Sequence, residues 1–155
     1  MSDLIRIIAL LPLLSCATYN TNHGEKALDQ YISIEELYRA CTPGDCGKDV
    51  KLEGCVVYVK GYVDSNNIFD KKSYPQLPYE KFKIYDKGSG KSIEIWAISG
   101  DNSAIFKKIT QNIVNSDVEI FVSGIVSSFD MPIMGICKKG LKIEINNAND
   151  IFFKQ

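Results

Sequence analysis

The sequence predicts a mainly β domain of five strands, with one helix between the third and fourth strands and a shorter helix ahead of the first. Three observations predict it. Apolar and polar residues alternate over 52–63, 81–98, 118–126 and 141–145, a period of two that turns one face of each strand inward. Between the second and third of these stretches, Ile105, Ile109 and Ile113 recur every fourth residue, and Phe106 and Val114 widen the stripe to that of an amphipathic helix. The chain has 155 residues and its opening segment stands apart, which leaves one domain with a single core.

That opening segment is an apolar run over 4–14, interrupted by Arg6 and Pro12 and closed by Leu13-Leu14-Ser15-Cys16. It is too short to cross a bilayer as a helix, which takes about 20 residues. A short apolar run ending in a small residue and Cys resembles the processing signal of a bacterial lipoprotein. The resemblance implies a signal peptide over 1–15, Cys16 as the lipid-bearing first residue of the mature chain, and a membrane partner reached through that lipid. It also implies the bacterial cell envelope as the address, and the outer membrane in particular, because Ala17 replaces the Asp that retains some lipoproteins at the inner membrane. From 17 to about 30 the chain is polar, with Asn20, Asn22 and Gly24, so 16–31 reads as a lipidated Cys with a flexible tether and 32–155 as the domain.

The domain opens with Ile32-Ser33-Ile34-Glu35-Glu36-Leu37, where Ser33 and Glu36 fit a capping box and Ile32 and Leu37 fit the hydrophobic staple. The helix that starts there ends near Cys41, ahead of Pro43 and Gly44. In 52–63, Cys55, Val57, Val59, Gly61 and Val63 share the inner face, and Tyr58, Lys60 and Tyr62 the outer. Gly61 marks a bend. Residues 64–80, with Asn66, Asn67, Pro75 and Pro78, read as a long connection. A hairpin follows over 81–86 and 91–98, turning through Lys87-Gly88-Ser89-Gly90. Phe82, Ile84, Ile93, Ile95 and Ala97 point inward; Lys83, Tyr85, Glu94 and Trp96 point outward. Asp101-Asn102-Ser103 offers caps for a helix to about residue 115. Val118, Ile120, Val122, Gly124 and Val126 carry the fourth strand, Leu141, Ile143 and Ile145 the fifth, and 129–140 reads as a second long loop. Asp150-Ile151-Phe152-Phe153 closes the domain.

This order, with long loops after the first and fourth strands and phrases such as Gly61-Tyr62-Val63, Phe82-Lys83-Ile84-Tyr85-Asp86 and Val122-Ser123-Gly124-Ile125-Val126, resembles the OB-fold. That fold is a five-stranded Greek-key barrel with one helix between strands three and four. The likeness covers about 50–153 and is nearest to the anticodon-binding-like, nucleic-acid-binding-like OB modules of exported bacterial lipoproteins. An all-β or α+β sandwich is the rival architecture.

The resemblance implies a binding surface on strands two and three and on the long loops. Here that surface carries Tyr58, Tyr62, Lys83, Tyr85 and Trp96, with Tyr74 and Tyr79 on one loop and Lys138 and Lys139 on the other. Rings interleaved with lysines suit the bases and phosphates of single-stranded nucleic acid. The same rings suit the apolar faces of sugars in a glycan. Two other readings use the same residues: the rings pack under the helix at 34–41, or they dock another envelope protein in a structural or assembly role. Only Arg6 and Arg39 are arginine, which argues against sequence-specific nucleic-acid recognition, and a net charge of -1 calls for no polyanion.

No catalytic residue and no cofactor is expected. The single histidine, His23, falls in the tether, away from any triad in the domain. Glu94 and Glu144 read as solvated partners of Lys83 or Lys142 rather than as the paired acids of a glycosidase. Gly88-Ser89-Gly90-Lys91 lacks the strand-to-helix context of a phosphate loop. Cys41, Cys46, Cys55 and Cys137 are an even set that an oxidising compartment permits to pair. Cys41-Thr-Pro-Gly-Asp-Cys46 closes most simply on itself, leaving Cys55 for Cys137; buried free thiols are the alternative. Zinc is not expected, because the spacing has no C-x-x-C knuckle.

Overall fold

The computed structural model describes residues 28–113 and 118–154. The expected signal peptide, Cys16 and His23 lie outside them. In chain order the elements are β1 (Ile32–Ser33), α1 (Ile34–Cys41), β2 (Val56–Phe69), β3 (Glu80–Tyr85), β4 (Ser92–Ala97), α2 (Ser103–Asn112), β5 (Glu119–Ile133), β6 (Ile136–Ile145) and β7 (Ile151–Phe153). The fold is mainly β. Its strands form one seven-stranded mixed sheet in the order β1-β2-β3-β4-β6-β5-β7, and β2 also pairs with β5. The five strands β2, β3, β4, β6 and β5 are therefore a circuit of neighbours. The pairs β1–β2 and β4–β6 run parallel and the others antiparallel.

The circuit depends on β2 serving two partners. Its first half pairs with β5, from Val56↔Ile125 to Tyr62↔Glu119, and its second half with β3, from Tyr62↔Tyr85 to Phe69↔Lys81. The two pairings meet at Tyr62, and at Gly61 beside it an added Cβ would lie 2.9 Å from the Tyr85 carbonyl oxygen and 3.2 Å from Ile34 Cδ1. Only glycine admits that approach. Gly124 on β5 is tighter, with Ile143 Cγ2 at 2.5 Å and the Glu144 carbonyl oxygen at 2.6 Å from such a Cβ.

Inward residues from each predicted strand join one core, with Val118 and Cys55 outside it. Val57, Val59, Val63, Phe82, Ile84, Ile93, Ile95, Ile120, Val122, Val126, Leu141, Ile143 and Ile145 are all buried in it. Ile34, Leu37 and Cys41 of α1 and Ile105, Phe106 and Ile109 of α2 complete the same cluster. Each fully buried aliphatic or aromatic side chain stabilises the fold by roughly 1.5–3 kcal/mol. The α1 capping box forms as expected: Glu36 N donates to Ser33 Oγ at 3.2 Å, and Ser33 N donates to Glu36 Oε2 at 2.7 Å. The bonds that the Ser33 N–H and the Ser33 hydroxyl donate to Glu36 Oε2 hold that carboxyl below its usual range. The helix stops at Thr42, which takes a left-handed φ of 44°.

Three expectations are corrected. The predicted connection over 64–80 is shorter, because β2 runs on to Phe69 through a register shift between Asp64 and Ile68. Asp64 absorbs the irregularity by accepting from Asn66 N at 3.1 Å and Asn67 Nδ2 at 2.6 Å. The predicted loop over 129–140 is instead a hairpin of β5 and β6, closed by Ile133↔Ile136 around Met134 and Gly135, whose φ angles of 47° and 83° suit a two-residue turn. The expected tether is not one over its last residues. Leu28–Gln30 form a 3-10 turn, Tyr31 is only 7% exposed, and β1 pairs with β2. Tyr31 is held there by ring contacts that composition does not announce.

Candidate functional site

Alternation places Lys81 and Lys83 of β3, Glu94 and Trp96 of β4, and Lys142 and Glu144 of β6 on outward positions. The register sets them in two rows: Lys81 opposite Trp96 opposite Glu144, and Lys83 opposite Glu94 opposite Lys142. Around Trp96 the charges interlock. Trp96 Nε1 donates to Glu94 Oε2 at 2.9 Å, Lys81 Nζ meets Glu94 Oε1 at 2.6 Å, and Lys142 Nζ meets Glu144 Oε1 at 2.9 Å. The Lys142 ammonium also sits 4.1 Å from the centre of the Trp96 ring. Tyr79, just ahead of β3, packs its ring 4.9 Å from that of Trp96 at 32°, and Lys81 Nζ lies within 5.8 Å of the rings of Phe69, Tyr79 and Trp96. Burial would raise the Glu94 carboxyl, but hydrogen bonds from Lys81 and Trp96, with the charges of Lys81 and Lys83, hold it below its usual range. Glu94 is thus a carboxylate at neutral pH.

The structure distributes the predicted binding residues unevenly. Trp96, Tyr79 and Lys83 lie in or beside this patch. Tyr74 extends its edge through Phe69, ring centres 5.2 Å apart. Tyr62 and Tyr85 form a separate pair at 5.9 Å, with Lys87 Nζ 3.8 Å from the Tyr62 ring. Tyr58 belongs elsewhere. It meets Tyr31 edge-on at 5.5 Å, and Tyr31 in turn meets Phe121 and Phe152, which stack at 4.7 Å and 8°. The reason is β2's double pairing, which puts Tyr58 beside β5 and the 28–31 turn rather than beside β3. Burial raises the Tyr31 hydroxyl to a pKa of about 12. Lys138 and Lys139 make their own ion pairs on the β5–β6 hairpin, with Asp45 at 2.6 Å and Asp130 at 2.9 Å. Asp130 holds the Lys139 ammonium above its usual range.

Helix α1 reaches β4 at its Ser92 end, and Trp96 stays half-buried. The helix turns Ile34, Leu37 and Cys41 to the core, and Tyr38 donates its hydroxyl to the Ser92 carbonyl at 3.1 Å. Sequence reasoning missed Phe69, Lys81 and Lys142 as members of the patch, although Lys81 and Lys142 share the outward parity of Trp96. It read Glu94 and Glu144 as partners of Lys83 or Lys142; Lys142 pairs with Glu144, and Glu94 pairs with Lys81.

The cysteines depart from the favoured pairing. Cys46 is bonded to Cys137, and Cys41 is a buried free thiol. Cys41 cannot close the short loop because it ends α1 inside the core, where burial pushes its thiol up to about 11. Cys46 meanwhile runs along β6, donating its N–H to the Cys137 carbonyl at 3.2 Å.

A cleft of about 790 Å³ separates residues 70–73 from the start of α2. Buried Glu80 and Asn102 line it, joined by Asn102 Nδ2 to Glu80 Oε2 at 2.6 Å, and Lys71 N donates to Glu80 Oε1 at 2.8 Å. This network diverts Asn102 from capping; Asp101 Oδ1 accepts from Ser103 N instead, at 2.9 Å.

No family model matches the chain, and no curated protein matches it. Among solved structures it is similar to an OBody, AM3L09, bound to hen egg-white lysozyme, at 18% identity over 66% of this chain and 83% of that one, with a TM-score of 0.44. No helix among the described residues is long and apolar enough to cross a membrane.

Proposed function

We propose that this chain is a lipid-anchored, non-enzymatic binding module of the bacterial cell envelope, and that the face built by β3, β4 and β6 holds an oligomeric ligand. The OB-fold reading is supported by the circuit of five strands, by the parallel pairing of β4 with β6, and by α2 standing between β4 and β5, which a five-stranded Greek-key barrel requires. One observation carries the binding reading: Tyr79 and Trp96 form a ring platform bordered by Lys81, Glu94, Lys142 and Glu144. Between the two ligand classes, the charge pattern favours a glycan over nucleic acid. Lys81 and Lys142 each hold a carboxylate, and among the described residues only Lys83 of the patch's three lysines makes no ion pair, so the patch offers more balanced hydrogen-bonding groups for hydroxyls than open cations for phosphates. Quenching or shift of Trp96 fluorescence by a glycan panel, with oligonucleotides silent, is the expected result. Oligonucleotide binding with glycans silent reverses the class, and silence in both panels overturns the reading.

The anchor rests on the run ending in Ser15-Cys16. Mass spectrometry of the membrane-extracted chain is expected to find a thioether-linked lipid on Cys16 and none in Cys16→Ala; a Cys16 recovered in a disulfide contradicts it. In the second reading the chain is an assembly lipoprotein that docks another envelope protein; the sequence alone assigns that contact to the same ring face, and exposed side chains favour the hairpin tip as its surface instead. There Ile133, Met134 and Ile136 are exposed, Met134 fully so. Membrane pull-down lost on Met134→Lys and kept on Trp96→Ala would select it.

A further inference from the structure

The β5–β6 hairpin brings together three metal-ligating groups that are scattered in the sequence. Cys46 Sγ, Cys137 Sγ and a carboxylate oxygen of Asp130 all lie within 4.8 Å of one another, and the Cys46–Cys137 separation is 91 residues. No spacing rule for zinc knuckles could reveal such a set. Asp130 and Cys137 share a face of the hairpin, because the register pairs Asp130 with Lys139 and Pro132 with Cys137. Both cysteines are half-buried and Asp130 is exposed, so an ion can reach them.

We propose that reduction of the Cys46–Cys137 disulfide converts this corner into a site for a thiophilic divalent cation, with Zn²⁺ the best fit. The balance is simple. A dithiol reductant gives two electrons and two protons to the S–S bond and itself becomes a disulfide, leaving Cys46 and Cys137 as thiols. Zn²⁺ then takes both sulfurs as thiolates, displaces their two protons to solvent, and adds the Asp130 carboxylate. Water fills the fourth position of a tetrahedral set. Two thiolates select zinc over magnesium or calcium.

The sulfurs stay together after reduction because other bonds hold their strands. Cys46 N donates to the Cys137 carbonyl at 3.2 Å, Lys139 N donates to the Gly44 carbonyl at 2.8 Å, Asp45 bridges to Lys138 on β6, and their side chains pair at 2.6 Å. Such a prearranged pair loses little freedom on metal binding. Lys139 Nζ, 2.9 Å from Asp130 Oδ1, orients that carboxylate and offsets the net negative charge of three anionic ligands around Zn²⁺. Disulfide and metal exclude one another, so the corner reports redox state.

The test uses the full chain, reduced under anaerobic conditions and titrated with Co²⁺ as a spectroscopic probe. One equivalent is expected to bind, with a thiolate-to-cobalt charge-transfer band and tetrahedral visible absorption that Zn²⁺ abolishes by displacement. The oxidised chain is expected to show neither band. Cys46→Ser should lose the band, and Asp130→Asn should weaken binding on the order of tenfold or more. Alkylation mapping on the unmodified reduced chain needs no variant to fold: Zn²⁺ should protect Cys46 and Cys137. Absence of the band in the reduced chain, a band unchanged in Cys46→Ser, or protection falling on other cysteines would overturn the site.

Discussion

Two aromatic clusters occupy outward strand positions of this domain, and their neighbours give them opposite characters. Around Tyr31, four rings close on one another: Phe121 is 2% exposed, Phe152 stacks on it, and the 28–31 turn brings Tyr31 down over Tyr58. Around Trp96, the half-buried rings of Phe69, Tyr79 and Trp96 are threaded with lysines and carboxylates. The first cluster is a small satellite core that fastens both ends of the domain to β2 and β5. The second is a half-buried platform of rings and charges. An outward aromatic is therefore a binding candidate only where adjoining segments leave it uncovered, and it becomes structure where a turn or an edge strand folds over it.

The sharpest way to break this distinction is to truncate each cluster. Phe121→Ala should cost about 3–5 kcal/mol, since it opens a cavity among rings that cannot collapse, and urea denaturation measures it. A loss below about 1 kcal/mol would mean that the cluster is not a core. Gly124→Ala tests the close approach of β5 to β6, and overpacking there should cost about 1–3 kcal/mol in the same assay. Trp96→Ala should behave in the opposite sense to Phe121→Ala. Its stability should change far less, while affinity for the ligand falls by about 1–3 kcal/mol, the scale of one lost stacking ring.

The smallest effect concerns pH. Glu94 has a folded-state pKa below its usual value, so its contribution to stability is present above the usual carboxylate range and is lost as pH falls through the lower folded value. Acid titration of Trp96 fluorescence should show a transition below the usual glutamate range, about 4.3, as Glu94 protonates and its contact with Trp96 Nε1 changes. Glu94→Gln should remove that transition. One that persists in the variant belongs to another group.

Alternation made the core legible, because Val57, Phe82, Ile95, Val122 and Ile143 each fall on the face their parity assigns. The capping box at Ser33 was equally legible, its partners being three residues apart. What could not be read depends on pairing across distance. The extension of β2 to Phe69 needs β3 as a template, and the β5–β6 hairpin needs Met134 in a left-handed conformation that its residue type does not advertise. The same limit divided the candidate site. Tyr58 and Trp96 look alike in sequence, and only the double pairing of β2 sends them to different surroundings. Lys81 was overlooked because its importance lies in touching Glu94, 13 residues away across a hairpin.

The central claim, that the Trp96 face is the ligand surface, is tested most directly by NMR chemical-shift mapping as a glycan that perturbs Trp96 fluorescence is titrated into the protein. The shifts should concentrate on Tyr79, Lys81, Glu94, Trp96 and Lys142 and leave Tyr58, Phe121 and Phe152 unmoved. Shifts centred on the Tyr31 cluster or on the tip at Ile133, Met134 and Ile136 would contradict it.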